Sequence, residues 1–453
     1  MSAIDVLVAR LPEGRILTDP EVIDSYARDR TFCEPGKPLG VVLATSRDDV
    51  VETMRWATEH RVPVVPRGAG TGLAGGATAG DGSIVLSLAK MTAIRELSPG
   101  DEIAVVEPGV INADLDRAAR AHGLMFAPDP SSYEISTIGG NLATNAGGLR
   151  CVKYGVTRDS TLGLEVVLAD GRILNTGRRT MKGVTGYDLT GLFVGSEGTL
   201  GVITAATVRL RRAPAQPPAT FAAEFPSLRD AGAAVSAIIA AGCQPSLMEL
   251  LDRATLQAID DMRSIGLEDA TMAMLIGQSD VPDGQAVVSR MEELCMANGA
   301  TFVAVSSSPQ ETDDLIGVRR MAYQAKERLG ACLVEDVCVP RSVLPEMITA
   351  IEEAAARHGV RICTVAHAGD GNLHPVFIFD HGTAEPPAEV WAAADEVFTR
   401  ALELGGTLTG EHGVGMLKRR WLALESGPVV QEVSAGIKGV FDPLGILNPG
   451  KAI

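Results

Sequence analysis

Five glycines fall within nine residues, at 68, 70, 72, 75 and 76, in Val64-Val-Pro-Arg-Gly-Ala-Gly-Thr-Gly-Leu-Ala-Gly-Gly76. Residues without a Cβ let main-chain N–H groups close around an anion such as a phosphate. Gly70, Gly72 and Gly75 also satisfy the G-x-G-x-x-G spacing, but that fingerprint needs a loop that opens a helix. Here Ala77-Thr-Ala-Gly-Asp-Gly82 leads into the strand-like run Ile84–Leu88. The Gly-Lys-Ser/Thr of a P-loop is missing as well. Taken alone, the segment also fits a flexible hairpin.

Two further clusters weigh against the hairpin. Pro128-Asp-Pro-Ser-Ser132 precedes Thr137-Ile-Gly-Gly-Asn-Leu-Ala-Thr-Asn-Ala-Gly-Gly148, and Gly195-Ser-Glu-Gly-Thr-Leu-Gly-Val-Ile-Thr204 follows. Small hydroxyl and amide residues among glycines suit a buried ligand with many hydrogen-bonding edges. Three such loops, each expected to connect strands, point to one large elongated ligand held mainly through main chain.

The surrounding pattern is β-rich up to residue 212. Strands are expected at Gly40–Thr45, Val62–Pro66, Ile84–Ser87 and Ile103–Val106, with a hairpin from Val166 to Leu174 around Asp170-Gly171. The prolines at 63 and 66 imply an edge position or a short ladder for their strand. A helix is expected from Asp48, as its cap, to His60, with Val50, Val51, Met54 and Ala57 on one face. Ala213-Pro-Ala-Gln-Pro-Pro-Ala219 reads as a linker. Beyond it come helices at Ala231–Gly242, Ala286–Asn298, Asp313–Leu329 and Pro345–His358. Alternating with them are strands at Pro245–Leu251, Met272–Ile276, Phe302–Val305, Val334–Val339, Arg361–Ala366 and Pro375–Phe379. These expectations give an α+β chain of two domains, 1–212 and 213–420, with 421–453 returning to the first as a turn-rich tail.

Length and charge bound the function. The 453 residues suit about two or three domains, and 46% hydrophobic against 21% charged residues describes a globular chain. With 40 Lys+Arg against 57 Asp+Glu, the net charge of −17 disfavours nucleic acid and anionic membrane as main partners. No apolar run is long enough to span a bilayer. Asp5, Arg10, Glu13 and Arg15 interrupt any leader-like stretch. Seven cysteines without a Cys-x-x-Cys pair suggest neither a zinc knuckle nor an iron–sulfur cluster. Reduced thiols in a cytoplasm are the expectation.

Of the seven histidines, His60, His122 and His358 fall at expected helix ends, where a cation complements the dipole. His367-Ala-Gly-Asp-Gly-Asn-Leu-His374 differs, because Gly369-Asp-Gly371 forces a tight turn that can point both imidazoles to one side. Gly410-Glu-His-Gly413 adds a carboxylate and another imidazole. Two nitrogens and one oxygen suit a borderline dication such as zinc or manganese, with positions left open. Two satisfied core histidines at a sheet edge are the other reading.

Pro66-Arg-Gly-x-Gly-Thr-Gly, Gly139-Gly-Asn, Asn145-Ala-Gly-Gly148 and Gly195-Ser-Glu-Gly-Thr-Leu-Gly201 resemble the FAD-binding domain of the vanillyl-alcohol oxidase/p-cresol methylhydroxylase (PCMH) superfamily. Within it the chain is similar, over nearly its whole length, to the FAD-linked 2-hydroxyacid dehydrogenases of glycolate, D-lactate and D-2-hydroxyglutarate. The resemblance implies a PCMH-type FAD domain with an α+β cap built on a ferredoxin-like antiparallel sheet. It implies that Pro66, Arg67, Gly68, Ala69, Gly70, Thr71, Gly72, Gly75 and Gly76 hold the FAD pyrophosphate. Pro128, Asp129, Thr137, Gly140, Asn141, Thr144, Asn145, Gly147, Gly148, Glu197, Val202, Ile203 and Asn448 would complete the cofactor site. Thr71 stands where some members carry a flavin-linked His, so noncovalent FAD is expected.

The same resemblance makes His367, His374 and Glu411 metal ligands and Arg319 the arginine for the substrate carboxylate, with Arg320 its neighbouring competitor. A bidentate cation suits a carboxylate, and a dication eases loss of the hydroxyl proton. His412, beside a ligand, is the expected general base; Tyr323 and Asn372 are further candidates for substrate contact. The glutarate enzymes carry polar partners where this chain has Val376 and Val334, which favours a short acid such as glycolate or D-lactate. D-2-hydroxyglutarate, and the non-redox alkyl-glycerone-phosphate synthases of the same fold, are the alternatives, as is a flavin-free metallohydrolase. The electron acceptor stays open among quinone, flavoprotein, cytochrome and iron–sulfur partner. So does oligomeric state, a homodimer included, and attachment to a membrane through a partner.

Overall fold

Short β-branched runs near the start of the chain pair as a four-stranded sheet. Gly40–Leu43, Ile84–Ser87 and Val64–Arg67 lie side by side in parallel, and Ile16–Leu17 joins Gly40–Leu43 antiparallel. The structure is a computed structural model that describes residues 2–453. Val64–Arg67 is an edge strand, where Pro66 disrupts no ladder. The glycine run therefore links two parallel strands without opening a helix. Ser46, rather than Asp48, caps the helix Arg47–His60, its Oγ accepting from the Asp49 N–H at 3.2 Å. Asp48 lies inside the first turn, where its charge still complements the dipole. The strand expected from Val62 starts at Val64, because Arg61 takes a left-handed cap conformation (φ 53°).

A second sheet is antiparallel, in the order Ile94–Ser98, Ile103–Val106, Val202–Arg209, Thr161–Val167, Ile173–Gly177. Its last two strands close through the Asp170-Gly171 turn, with Gly171 at φ +81°. The second glycine cluster does not simply connect strands. Thr137 caps a short helix, Ile138–Thr144, by accepting from the Gly140 N–H. Gly139 fits there because a Cβ would stand 2.5 Å from the Pro108 side chain.

Beyond the linker, Ala219–Phe225, Leu247–Asp252, Ala273–Ser279 and Phe302–Val305 alternate with the helices Leu228–Ala240 and Gly284–Ala297. Their spatial order is fourth, first, third, second, and every pairing is antiparallel. This is the ferredoxin-like β-α-β-β-α-β arrangement. The open edge at Leu247–Asp252 is extended by Arg361–His367, then Asn372–Phe379, then Ala331–Val334. Helices Arg253–Arg263 and Pro309–Glu327 cover one face of this sheet through Leu256, Ile259, Ile316 and Ala322 packed on Leu251, Ile276 and Val365. The strand expected over Val334–Val339 is interrupted. Val334 pairs with Val376 and Val337 with Leu373 in one register, and the break falls opposite Pro375, which has no N–H to give.

The chain divides into two units, Met1–Gly148 with Gly155–Ala213 and Glu411–Ile453, and Leu149–Tyr154 with Pro214–Gly410. The second crossing falls at 410/411 rather than 420. Val414 and Gly415 donate to Glu197, and Met416 and Leu417 to the Ala74 carbonyl, which ties this stretch to the first unit. Leu149–Tyr154 joins the second because Lys153 and Tyr154 both bond Asp280. The C-terminal stretch is more helical than its turn-rich end suggests, with Arg419–Glu425 and Pro428–Phe441. Among the described residues no helix is long and apolar enough to cross a membrane, and none of the seven cysteines is in a disulfide.

Lys438 and Asp442 fasten that C-terminal helix. The Lys438 Nζ donates to the carbonyls of Thr199 (2.6 Å) and Leu447 (2.8 Å) and to the buried Asp442 carboxylate. Asp442 also accepts from the N–H groups of Ile446 and Leu447. Removing one partner of such a pair leaves uncompensated charge, so Asp442→Ala is expected to destabilise the first unit by about 3–5 kcal/mol in denaturant titration.

Candidate functional site

The antiparallel register decides where the histidines point. Val365 pairs with His374 and His367 with Asn372, and residues two apart share a face. His367 and His374 therefore face the same side. Their rings meet edge to face, centroids 5.0 Å apart. Both are buried and both lie within strands rather than in the turn. Gly371 makes the turn at φ +89°, and a Cβ there would run into the Val339 carbonyl.

The neighbouring strand places Glu249 directly opposite His367. Its Oε1 lies 2.6 Å from His367 Nδ1, and its Oε2 accepts from Arg319 Nε at 2.7 Å. Glu249 has no solvent exposure. Burial alone would push its carboxyl up, but the His367 and Arg319 charges and hydrogen bonds outweigh burial and hold it below the ordinary glutamate value. Glu249 escaped the sequence reading, although a lone acid in Leu247-Met-Glu-Leu-Leu251 was a signal. Arg319 is half-buried while Arg320 is exposed, which separates the two competitors. The Arg319 Nη groups bond no other described residue. Tyr323, one turn further along the helix, is 41% exposed.

Asn372 is buried, and its Oδ1 has no hydrogen-bond partner. Gly410 packs on this side chain, where a Cβ would come within 2.5 Å of Oδ1. Asp336, fully buried and also missed from sequence, accepts from the Gly410 N–H (2.7 Å) and the Thr409 hydroxyl (3.0 Å). Glu411 follows at once. Ligand-capable atoms of His367, His374 and Glu411 lie within 4.8 Å of one another, a spread that suits one dication. His412 Nε2 stands 3.9 Å from the Glu411 carboxylate.

In the first unit, Pro66 and Arg67 end the edge strand and the glycine run follows. Among the described residues, no main-chain N–H from Gly68 to Gly76 donates to another residue. Such a row of unused donors is what an anion nest requires. Asp29, which nothing in the sequence marked, braces its far end by accepting from the Ala77 N–H and the Thr78 hydroxyl. Gly70 has φ +72°, and its Cβ position is filled by the Arg67 guanidinium. Gly68 abuts the Thr137 hydroxyl. Thr144 bonds back to the Gly140 carbonyl, and Asn145 takes φ 53° and accepts from the Arg158 N–H.

Pro128 is buried, Gly148 packs on the Asp129 main chain, and Gly147 has no room for a Cβ against the Glu411 carboxylate. Val202 and Ile203 open a buried strand. Asn141 Nδ2 and Asn448 Oδ1 are buried without partners. Together with the nest, these groups fit an elongated phosphate-bearing cofactor. The Glu197 side chain is committed elsewhere, to the N–H groups of Val414 and Gly415, both at 2.8 Å. Burial pushes its carboxyl up to about 7 against the pull of those two N–H groups and Lys418, with Asp29 adding to the rise.

Residues 38–177 match the FAD binding domain family, and 215–452 match the FAD linked oxidases, C-terminal domain. The chain is 43% identical over 429 residues to the glycolate oxidase subunit GlcD of Bacillus subtilis, covering 94% of this chain and 91% of that one. It is 33% identical to a D-lactate dehydrogenase of Anaerostipes hadrus, covering 96% and 94%. Among solved structures, p-cresol methylhydroxylase aligns with TM-score 0.81 at 18% identity, covering 99% and 96%. An alkyldihydroxyacetonephosphate synthase aligns at 0.76 and 18%, covering 99% and 84%; both show the fold alone. The chain belongs to the FAD-linked oxidase family and is an FAD-binding oxidoreductase.

Proposed function

We propose that this protein is an FAD-dependent dehydrogenase that oxidises the CH–OH of a small D-2-hydroxy acid, glycolate or D-lactate, to the 2-oxo acid. It would use a divalent metal, zinc or manganese, held by His367, His374 and Glu411. The observation that carries the metal assignment is the buried Glu249 carboxylate on His367 Nδ1. A ligating imidazole is oriented in this way by a carboxylate on its other nitrogen. Two histidines that were mere core packing would not need a buried charge beside them.

When bound, FAD supplies a hydride acceptor and the dication makes the substrate hydroxyl a stronger acid. The chain does the rest. Glu249 on Nδ1 fixes the ring of His367, so that Nε2 is the nitrogen that would ligate the metal. The Arg319 Nη groups, with Nε anchored, are presented for a carboxylate. His412 takes the hydroxyl proton. Asn372 Oδ1 offers a buried acceptor. Residues 66–76 include no His, Cys or Tyr, which supports noncovalent FAD.

Chain length of the acid is argued from Val334 and Val376. They are cross-strand partners packed with Cys363, Ile378 and Leu329, and neither valine offers a second carboxylate a hydrogen bond or an opposite charge. The relatives named as glycolate oxidase subunits fit the transfer of electrons onward to a protein partner.

Mixing the oxidised holoenzyme anaerobically with glycolate, D- and L-lactate and D-2-hydroxyglutarate should bleach the flavin with a short acid, the D isomer in the case of lactate, and chelation should abolish it. Bleaching by none of the acids would remove the reading; bleaching unchanged by chelator would remove the metal from it. Glu249→Gln should weaken metal affinity about 10- to 100-fold, read by titrating metal into stripped protein. Arg319→Lys should raise the half-saturating acid concentration about 10- to 100-fold in the same flavin-reduction assay, because the fork geometry is lost.

A further inference from the structure

We propose that Glu197 is a positioning residue that sets Glu411 and His412 by gripping the turn immediately after them, a role that rests on the metal and base assignments above. Glu197 is buried and sits in the left-handed region at φ 51°. Its main-chain N–H donates to the Ala143 carbonyl at 2.8 Å, and its own carbonyl accepts from Asn448 Nδ2 at 2.6 Å. The same Asn448 nitrogen bonds the Gly76 carbonyl at 2.8 Å. The backbone of Glu197 is thus fixed to all three cofactor-binding segments before its side chain is considered.

The side chain then reaches out of that frame. Oε1 accepts from the Val414 N–H and Oε2 from the Gly415 N–H, so one carboxylate receives two consecutive main-chain donors. The turn is tailored to this grip. Gly413 lies at φ +83° and Gly415 at φ +51°. A Cβ at Gly413 would stand 3.0 Å from Oε1, and one at Gly76 3.2 Å from Oε2. Gly147 closes on the Glu411 carboxylate at the other end of the segment. Residues 411–415 are therefore held at both ends by the cofactor-binding framework.

Only a carboxylate suits the two donors. A glutamine carries one acceptor oxygen and would turn an NH2 toward the second N–H. A residue needed merely to fill this space would not require a buried carboxyl group, which is expensive without such partners. Left-handed backbone at a non-glycine residue is strain of the kind that persists where surrounding structure over-determines it.

The test compares full-length wild type with Glu197→Gln and Glu197→Asp. FAD content is read by absorbance, zinc and manganese affinity by titration of stripped protein, and flavin reduction by anaerobic rapid mixing with the best acid. Glu197→Gln should keep its FAD, while metal affinity falls about 10- to 100-fold. Its limiting reduction rate should fall at least about 10-fold with little change in half-saturation, since Arg319 is untouched. Glu197→Asp, which keeps both acceptors, should recover part of the rate.

Wild-type metal affinity and rate in Glu197→Gln would overturn the proposal. So would loss of FAD from both variants, which would make Glu197 a cofactor-retaining residue only. If no acid reduces the wild type, the proposed function falls, and the metal titration alone decides the role of Glu197.

Discussion

A carboxylate with no access to water stays ionised only if its neighbours supply what water did. Glu249 meets that condition with one imidazole and one guanidinium, one on each oxygen. The consequence reaches both ways. His367 is locked in ring orientation and tautomer, and Arg319 is locked at Nε, so a single buried group aligns a candidate metal ligand with a candidate substrate clamp. Antiparallel pairing makes this possible, because the register puts Glu249 beside His367 and puts His367 and His374 on one face.

The cofactor half of the molecule works by a different economy. Its glycine run offers main-chain groups, and the side chains around it keep that main chain in place. Arg67, Asp29 and Thr137 crowd or brace the glycine run from outside. The glycines leave the N–H groups between Gly68 and Gly76 pointing away from other protein acceptors.

Patterns that repeat along the chain were legible beforehand. The glycine clusters, the His-x6-His turn and the alternating strands and helices after residue 213 correspond to elements of the fold, and the exclusion of a Rossmann loop follows from a strand that is visible in sequence. What escaped depended on pairing between distant segments. Glu249 lies 118 residues from His367, and Asp336 lies 74 from Gly410; no local period links either pair. Asp29 is one acid among many until Ala77 and Thr78 are placed beside it. Ser46 caps the helix in place of Asp48 because it stands immediately before Arg47, where its Oγ reaches the Asp49 N–H, whereas Asp48 is already inside the first turn. The helix Pro428–Phe441 was missed since its exposed valines, Val429, Val430, Val433 and Val440, do not alternate with polar residues as a surface helix should.

Pro375 sits in the middle of a central strand, a place this residue type normally avoids. It accepts from the Glu335 N–H at 3.1 Å but returns nothing, so the neighbouring strand unzips for the length of Glu335 and Asp336 and closes again at Val337. That gap releases Asp336 from the pleat and lets its carboxylate capture Thr409 and Gly410. One missing proton in a β-ladder thus becomes the latch that fixes where the chain turns toward Glu411.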